Sequence, residues 1–236
     1  MKYRKIIKLQ KFNSEVIFNK SLRPFKFQKL ERSFLLSLLL FNYFVLNAQN
    51  VLEKKIKANT IESILINGNQ IFEISIETTT TDYISIVSKL DGEYQDNYQI
   101  VTKEEHNKLT LSLEFMSFDD IPDDKRNAHK VIAATLHFKI PEDLNLNIKS
   151  DIGSVHLNGN FNLLTIELLQ GHCEVKGKAN DATINTIDGA INVITESATI
   201  DATTNKGTVI LDQFNKLDSI WNLTSINGNI TVTKQE

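Results

Sequence analysis

Apolar residues in the second half of the chain fall at fixed places around a set of glycines. Gly153, Gly171, Gly189 and Gly207 are evenly spaced, and Gly228 comes after a slightly longer interval. The second and fourth residues after each glycine are apolar, as in Val155 and Leu157 or Ile191 and Val193. So are the residues seven and five places before it, from Leu146 and Ile148 to Trp221 and Leu223. Alternation at every second residue is the pattern of a strand with one buried face. A fixed period carrying two such strands is the mark of a β-solenoid, each repeat one coil stacked on the last. The predicted fold is therefore all-β: a single-stranded β-helix of about 18 residues per coil over residues 141–236.

The glycines are expected at the bends between strands, where a residue without Cβ tolerates positive φ. A second set, Gly159 and Gly177, gives way to Thr195 and Gln213 in later coils, which predicts a less demanding corner. Trp221 stands where earlier coils carry aliphatic residues, and the longer interval before Gly228 widens its coil around Phe214. It reads as a plug over the end of the stack, with Lys234 discouraging edge-to-edge association.

Residues 49–140 form a preceding β module with irregular spacing. Ile64–Ile66 runs into an Asn67-Gly68 turn, and the next strand puts Phe72, Ile74 and Ile76 on one face. Tyr83–Ser88 alternates through Ile84 and Ile86. Tyr98–Thr102 and Leu109–Phe115 read as further strands, and Lys130–Ile140 alternates from Ile132 to Ile140. Helical periodicity is not evident here.

The beginning of the chain differs. Residues 1–32 hold ten basic residues against Glu15 and Glu31, and SFLLSLLLFNYFVL follows at 33–46. A basic stretch, a short apolar run and Ala48 make a secretory signal peptide over 1–48, too short in its apolar part to span a membrane comfortably. The expected location is outside the cytoplasm, in the periplasm or at the cell surface, with no membrane span after cleavage. The remaining chain carries 16 basic and 27 acidic residues, a net charge of −11. That balance excludes nucleic acid as an expected partner. The single cysteine, Cys173, shares its register with Val155 and Ile191 and reads as a small buried hydrophobe rather than a nucleophile.

Several stretches resemble a known family. Ile-Pro-Glu at 140–142, Asp-Ile-Gly-Ser-Val at 151–155, Asp-Gly-Ala-Ile-Asn-Val at 188–193 and Lys-Gly-Thr-Val at 206–209 look like a bacterial family of exported β-helical domains named as adhesins, of unknown function. Lys125–Lys130 resembles the leading half of its Bacteroidota-type members. The resemblance implies a fold and a cell-envelope setting. It brings no catalytic residues and no cofactor.

Three constellations bear on chemistry. His156 and Glu174 fall on the outer face of adjacent coils with His172 one pleat away, and two imidazoles with a carboxylate suit a divalent transition metal. The alternative is an exposed polar ladder continuing at Asn192. Asp119, Asp120, Asp123 and Asp124 surround Ile121-Pro122, followed by Arg126, the one arginine after the signal. Clustered carboxylates suit calcium, but the order and glycine of an EF-hand are missing. A solvated acidic loop is the blander reading.

The third constellation is the outer face itself, where Thr and Asn predominate: Thr165, Thr183, Asn185, Thr203 and Thr224. Glu167 and Asp201 are isolated among them, without the carboxylate pair that glycoside cleavage requires. No Gly-x-Ser-x-Gly, Walker loop or zinc spacing occurs. The expectation is a non-enzymatic module that binds an envelope glycan or protein through Thr183, Asn185 and Thr203. A polysaccharide-active β-helix enzyme and a periplasmic envelope-stress or structural partner are the alternatives.

Overall fold

A computed structural model describes residues 50–91, 97–116, 133–214 and 219–235. The signal segment and the acidic cluster Asp119, Asp120, Asp123 and Asp124 lie outside the described residues. Within them the chain is all-β, with 15 strands in one open sheet. In chain order these are β1 (Asn50–Lys57), β2 (Ser63–Asn67), β3 (Ile71–Thr79), β4 (Tyr83–Asp91), β5 (Tyr98–Glu105), β6 (Lys108–Phe115), β7 (Ala133–Pro141) and β8 (Asn145–Ser150). The long β9 (Ser154–Gln170) and β10 (Cys173–Asp188) follow, then β11 (Ile191–Thr195), β12 (Thr199–Thr204), β13 (Val209–Leu211), β14 (Ile220–Ser225) and β15 (Ile230–Lys234).

The sheet has two limbs, which β9 and β10 join because each runs through both. The first half of β9 pairs with β3, Val155 opposite Ile74, while its second half pairs with β8, Leu164 opposite Leu146. Along one limb the order is β5, β6, β2, β8, β9, β10, β14, β12, and along the other β1, β4, β7, β3, β9, β10, β11, β15, β13. All neighbours are parallel except β1–β4, β4–β7 and β5–β6. Alternate residues on both limbs enter a single hydrophobic cluster running from Ala58 to Val232. The strands up to Pro141 and those after it thus share one sheet and one core. The strands joined at Asn67-Gly68 do not pair with each other: β2 bonds to β6 and β8, and β3 to β7 and β9.

The regular offset of the sequence holds from β9 to β10, where Cys173 pairs with Val155, and from β10 to β11, where Ile191 pairs with Cys173. Beyond Thr195 the stacking departs from chain order. Ile230 lies beside Ile191, and Val209 lies beside Ile230. On the other limb Trp221 lies between Ala182 and Ile200. The layer formed by β14 and β15, last in the chain, is inserted beneath the layer formed by β12 and β13. This corrects the reading of Trp221 as an end plug, since the indole is wholly buried. Its Nε1 donates to the carbonyl of Ala179 at 3.2 Å. The outer layer is left with Val209 and Leu211 about two-fifths exposed on an edge strand (40% and 43%).

The glycine column has a different cause from the one expected. Of its five members only Gly171 has positive φ. The turns stack so closely that a Cβ on Gly189 would lie 1.8 Å from the carbonyl oxygen of Gly171. Positive φ belongs instead to the other corner, where Gly159 and Gly177 (φ 135° and 141°) let β9 and β10 bend from one limb to the other without leaving the ladder. That corner is demanding where the strands run through it.

Hydroxyl groups three residues before the glycines tie the turns together. Ser150 Oγ accepts from Gly153 N (2.9 Å) and donates to Gly68 O (3.1 Å). Ser225 Oγ accepts from Gly228 N (2.8 Å) and donates to Gly189 O (3.1 Å). Thr204 Oγ1 does the same between Gly207 N and Gly228 O. These bonds satisfy turn backbone groups that are buried at Ser150 and part-buried at Ser225 and Thr204.

Besides the corners of β9 and β10, β3 departs from strict alternation. The register shifts between Ile71 and Glu73, so Ile71, Ile74 and Ile76 are buried while Phe72 is 62% exposed. A bulge adds a residue to one strand and turns its side chain away from the face alternation assigns it.

Candidate functional site

On the β8–β12 limb the outward side chains form columns, because parallel strands in register place equivalent residues one above another about 4.8 Å apart. One column runs Asn67, Lys149, Glu167, Asn185, Thr224, Thr203. The next contains Thr165, Thr183, Asn222 and Asp201. The expected ligand residues therefore share a face, with Asn185 and Thr203 exposed and Thr183 half-buried. Thr203 is two layers from Asn185 rather than one, because Thr224 intervenes.

A groove of about 720 Å³ lies along this face, and Asn185 and Thr224 line it; neither Thr183 nor Thr203 does. One wall is an aliphatic column that the sequence reading missed: Leu169, Ile187 and Ile226, 53%, 40% and 38% exposed. These residues stand two places before Gly171, Gly189 and Gly228, a position occupied by Asp151 and Asn205 in the flanking layers. That offset was the available signal. Across the groove Lys149 Nζ meets Glu167 Oε2 at 2.9 Å, an exposed pair of the kind worth up to about 1 kcal/mol. Asp151 Oδ1 accepts from the backbone of Gln70 at 3.2 Å.

This arrangement offers aliphatic contact along one side and amide, hydroxyl and charged groups along the other. Glu167 and Asp201 stand in different columns with the layers of Thr183 and Asn222 between them.

The histidines stand on the other limb. His156 and Glu174 are register partners, with Nδ1 of the imidazole 3.2 Å from Glu174 Oε2. His172 Nδ1 lies 3.0 Å from Ser154 Oγ, and its ring meets that of His156 edge-on at 5.2 Å. The three residues are thus brought together as expected. Each Nδ1 already has a protein partner, however, and among the described residues no three histidine, cysteine or carboxylate side chains are arranged to hold a metal. The polar column continues through Asn192 and Thr231. It also reaches back across β3 to His137, whose Nδ1 lies 3.1 Å from Ser75 Oγ. His137 went unnoticed in the sequence because it lies ahead of the regular repeats.

Cys173 is fully buried between Val155 and Ile191. Its thiol is pushed up to about 12, by burial first and by the charge of Glu174 second. It is therefore protonated and inaccessible at neutral pH.

These features define an all-β protein built as a parallel ladder with a grooved outer face. No protein-family model matches the sequence, and no curated protein is similar to it. Among solved structures it is similar to a "putative cell adhesion protein" from Clostridium sporogenes, at 14% identity and a TM-score of 0.59, over 79% of this chain and 100% of that one. It is also similar to a "putative adhesin" from Bacteroides fragilis (11% identity, TM-score 0.34, 78% and 97% covered). A further match is a "putative lipid binding protein" from Parabacteroides distasonis (11% identity, TM-score 0.27, 77% and 96% covered). At such identities the first likeness shows a shared fold. The other two have too low a TM-score to add to it.

Proposed function

We propose that this protein is an exported, non-enzymatic binding module of adhesin type. In this reading the ladder is a β-solenoid of about 18 residues per coil. It is delivered to the periplasm or cell surface by residues 1–48. The ligand is an extended envelope polymer, a glycan or a protein strand, lying in the groove of the β8–β12 limb. One observation carries the reading. The groove on this face combines the exposed aliphatic column Leu169, Ile187, Ile226 with the amide and hydroxyl of Asn185 and Thr224, a mixture suited to recognition. The fold shared with the clostridial cell adhesion protein supports it further.

The test is a binding screen of the purified protein against acidic and neutral envelope polysaccharides, with each candidate also assayed for cleavage. Asn185→Ala combined with Ile187→Asp is expected to weaken the best ligand at least about tenfold, through lost hydrogen bonds and a charge in the apolar wall. The carboxylate variant Glu167→Gln, Glu174→Gln, Asp201→Asn is expected to lose less affinity than this, since only Glu167 of the three lines the groove. Turnover by the parent that vanishes in the carboxylate variant would establish the enzyme alternative instead.

A further inference from the structure

We infer that the chain can stack its last two layers in either of two orders, so that segment 220–235 is a removable insert rather than a fixed part of the ladder. In the order observed, β14 and β15 separate β12 and β13 from β10 and β11. Yet Gly207 follows Gly189 at the same interval as Gly189 follows Gly171, the glycine on which it is stacked. The outer layer therefore carries the correct length and register to stack directly on the layer of Ile184 and Ile191. Val209 would then take the place beside Ile191 that Ile230 now holds, and Ile200 the place beside Ala182 that Trp221 now holds.

The turn chemistry is also interchangeable. Ser225 Oγ donates to Gly189 O, and Thr204 Oγ1, three residues before its own glycine in the same way, donates to Gly228 O. With the insert withdrawn, Thr204 meets Gly189 O as its equivalent acceptor. What favours the observed order is the content of the layers. Trp221, Leu223, Ile230 and Val232 are all buried in the inner position, and the lighter set of Ile200, Ala202, Val209 and Leu211 takes the half-covered outer one. The device is a ladder with a preferred order and an in-order alternative whose interface already exists in its sequence. Release of segment 220–235 follows from the switch.

The test locks the full chain in the alternative order. In a Cys173→Val background, Asn192→Cys with Ile210→Cys are joined by a disulfide in denaturant and the chain is then refolded. In the observed order Thr231 lies between these two positions, which puts them about 9.6 Å apart, two strand spacings and beyond the reach of a disulfide. A second lock, Thr183→Cys with Asp201→Cys, does the same on the other limb, where Asn222 intervenes. Native oxidation of Asn192→Cys with Thr231→Cys marks the observed order.

The expected result is that at least one locked chain refolds with the parent's far-UV signal. Its Val209–Leu211 amides should exchange at least about tenfold more slowly than in the unfolded chain. Emission from Trp221, the one tryptophan, should shift to the red, and reduction of the disulfide should return it to the buried value. If both locked chains lack protection over Val209–Leu211, a single order is available and the inference is wrong. Failure of native oxidation to join positions 192 and 231 would overturn the observed order, and with it the switch between two orders.

Discussion

Gly228 sits directly on Gly189 although the whole of segment 190–227 lies between them in the chain: a Cβ on Gly228 would lie 1.9 Å from the carbonyl oxygen of Gly189. Gly207 sits in turn on Gly228, with a corresponding distance of 2.1 Å. The glycine column thus follows the stacking order and not the chain order. Its cause is the close approach of turn backbones, which no side chain movement relieves.

Gly189→Ala tests this cause. Its new methyl group would meet backbone on the layer below, so at least one turn must lift and its hydrogen bonds be lost. The expected loss exceeds about 3 kcal/mol, at the severe end of single substitutions. Urea unfolding measures it. A melting temperature within two or three degrees of the parent's would show that the turns have room after all.

Ile191 and Asn192 are adjacent in β11 but face opposite ways. Ile191 is fully buried between Cys173 and Ile230, while Asn192 is exposed between Glu174 and Thr231. Ile191→Asp places a charge in the core without a partner and should prevent folding or cost several kcal/mol. Asn192→Ser should change stability by less than about 0.5 kcal/mol. Equal sensitivity at the two positions in thermal melts would contradict the register.

Thr186 Oγ1 donates to Gly189 O at 2.7 Å from a buried position. Thr186→Val keeps the shape and removes the donor. Because Ser225 still reaches the same carbonyl, the expected cost is about 1 kcal/mol, the net worth of one such bond. Combining it with Ser225→Ala strips the carbonyl of both hydroxyls and should cost more than the two single changes added. Strict additivity in chemical denaturation would mean the hydroxyls act independently.

Cys173 gives the ladder a pH dependence on the alkaline side. Its thiol titrates near 9.0 when unperturbed and is raised to about 12 by burial. A raised pKa means that the folded state holds the proton while the unfolded state releases it. The contribution is therefore intact below pH 9 and declines as pH rises toward 12, by up to about 1.4 kcal/mol per unit. Cys173→Val removes this part. The stability difference between parent and variant should be flat below pH 9 and move in the variant's favour above it. A difference that stays constant through pH 11 would place the thiol in contact with water.

Alternation made the buried faces legible in advance. Val155, Leu157, Cys173, Val175, Ile191 and Val193 all face the core as their spacing required. The order of layers was not legible, for a physical reason: every layer offers apolar residues at the same places, so the pattern specifies register within a layer but not which layers are neighbours. The longer interval before Gly228 was the local trace of the departure. Phe72 was misread because a bulge breaks the period of two without any change in residue type. The hydroxyls were readable, as Ser150, Thr186, Thr204 and Ser225 each precede a glycine by three residues. Leu169, Ile187 and Ile226 were equally regular, but apolar residues outside the strand alternation have no assigned face.

The register partnership of Val155 and Cys173, one sequence period apart, also makes the molecule extensible. Duplicating or excising one such unit leaves the flanking layers facing residues of the same kind at the same heights. The cost of a new layer is then only that of ordering its own chain, with no rebuilding of its neighbours. Lengthening by one unit adds about 4.8 Å to the grooved face and one more outward set of side chains to vary. Descent by whole repeats can therefore change the length of the grooved face separately from the residues that line it.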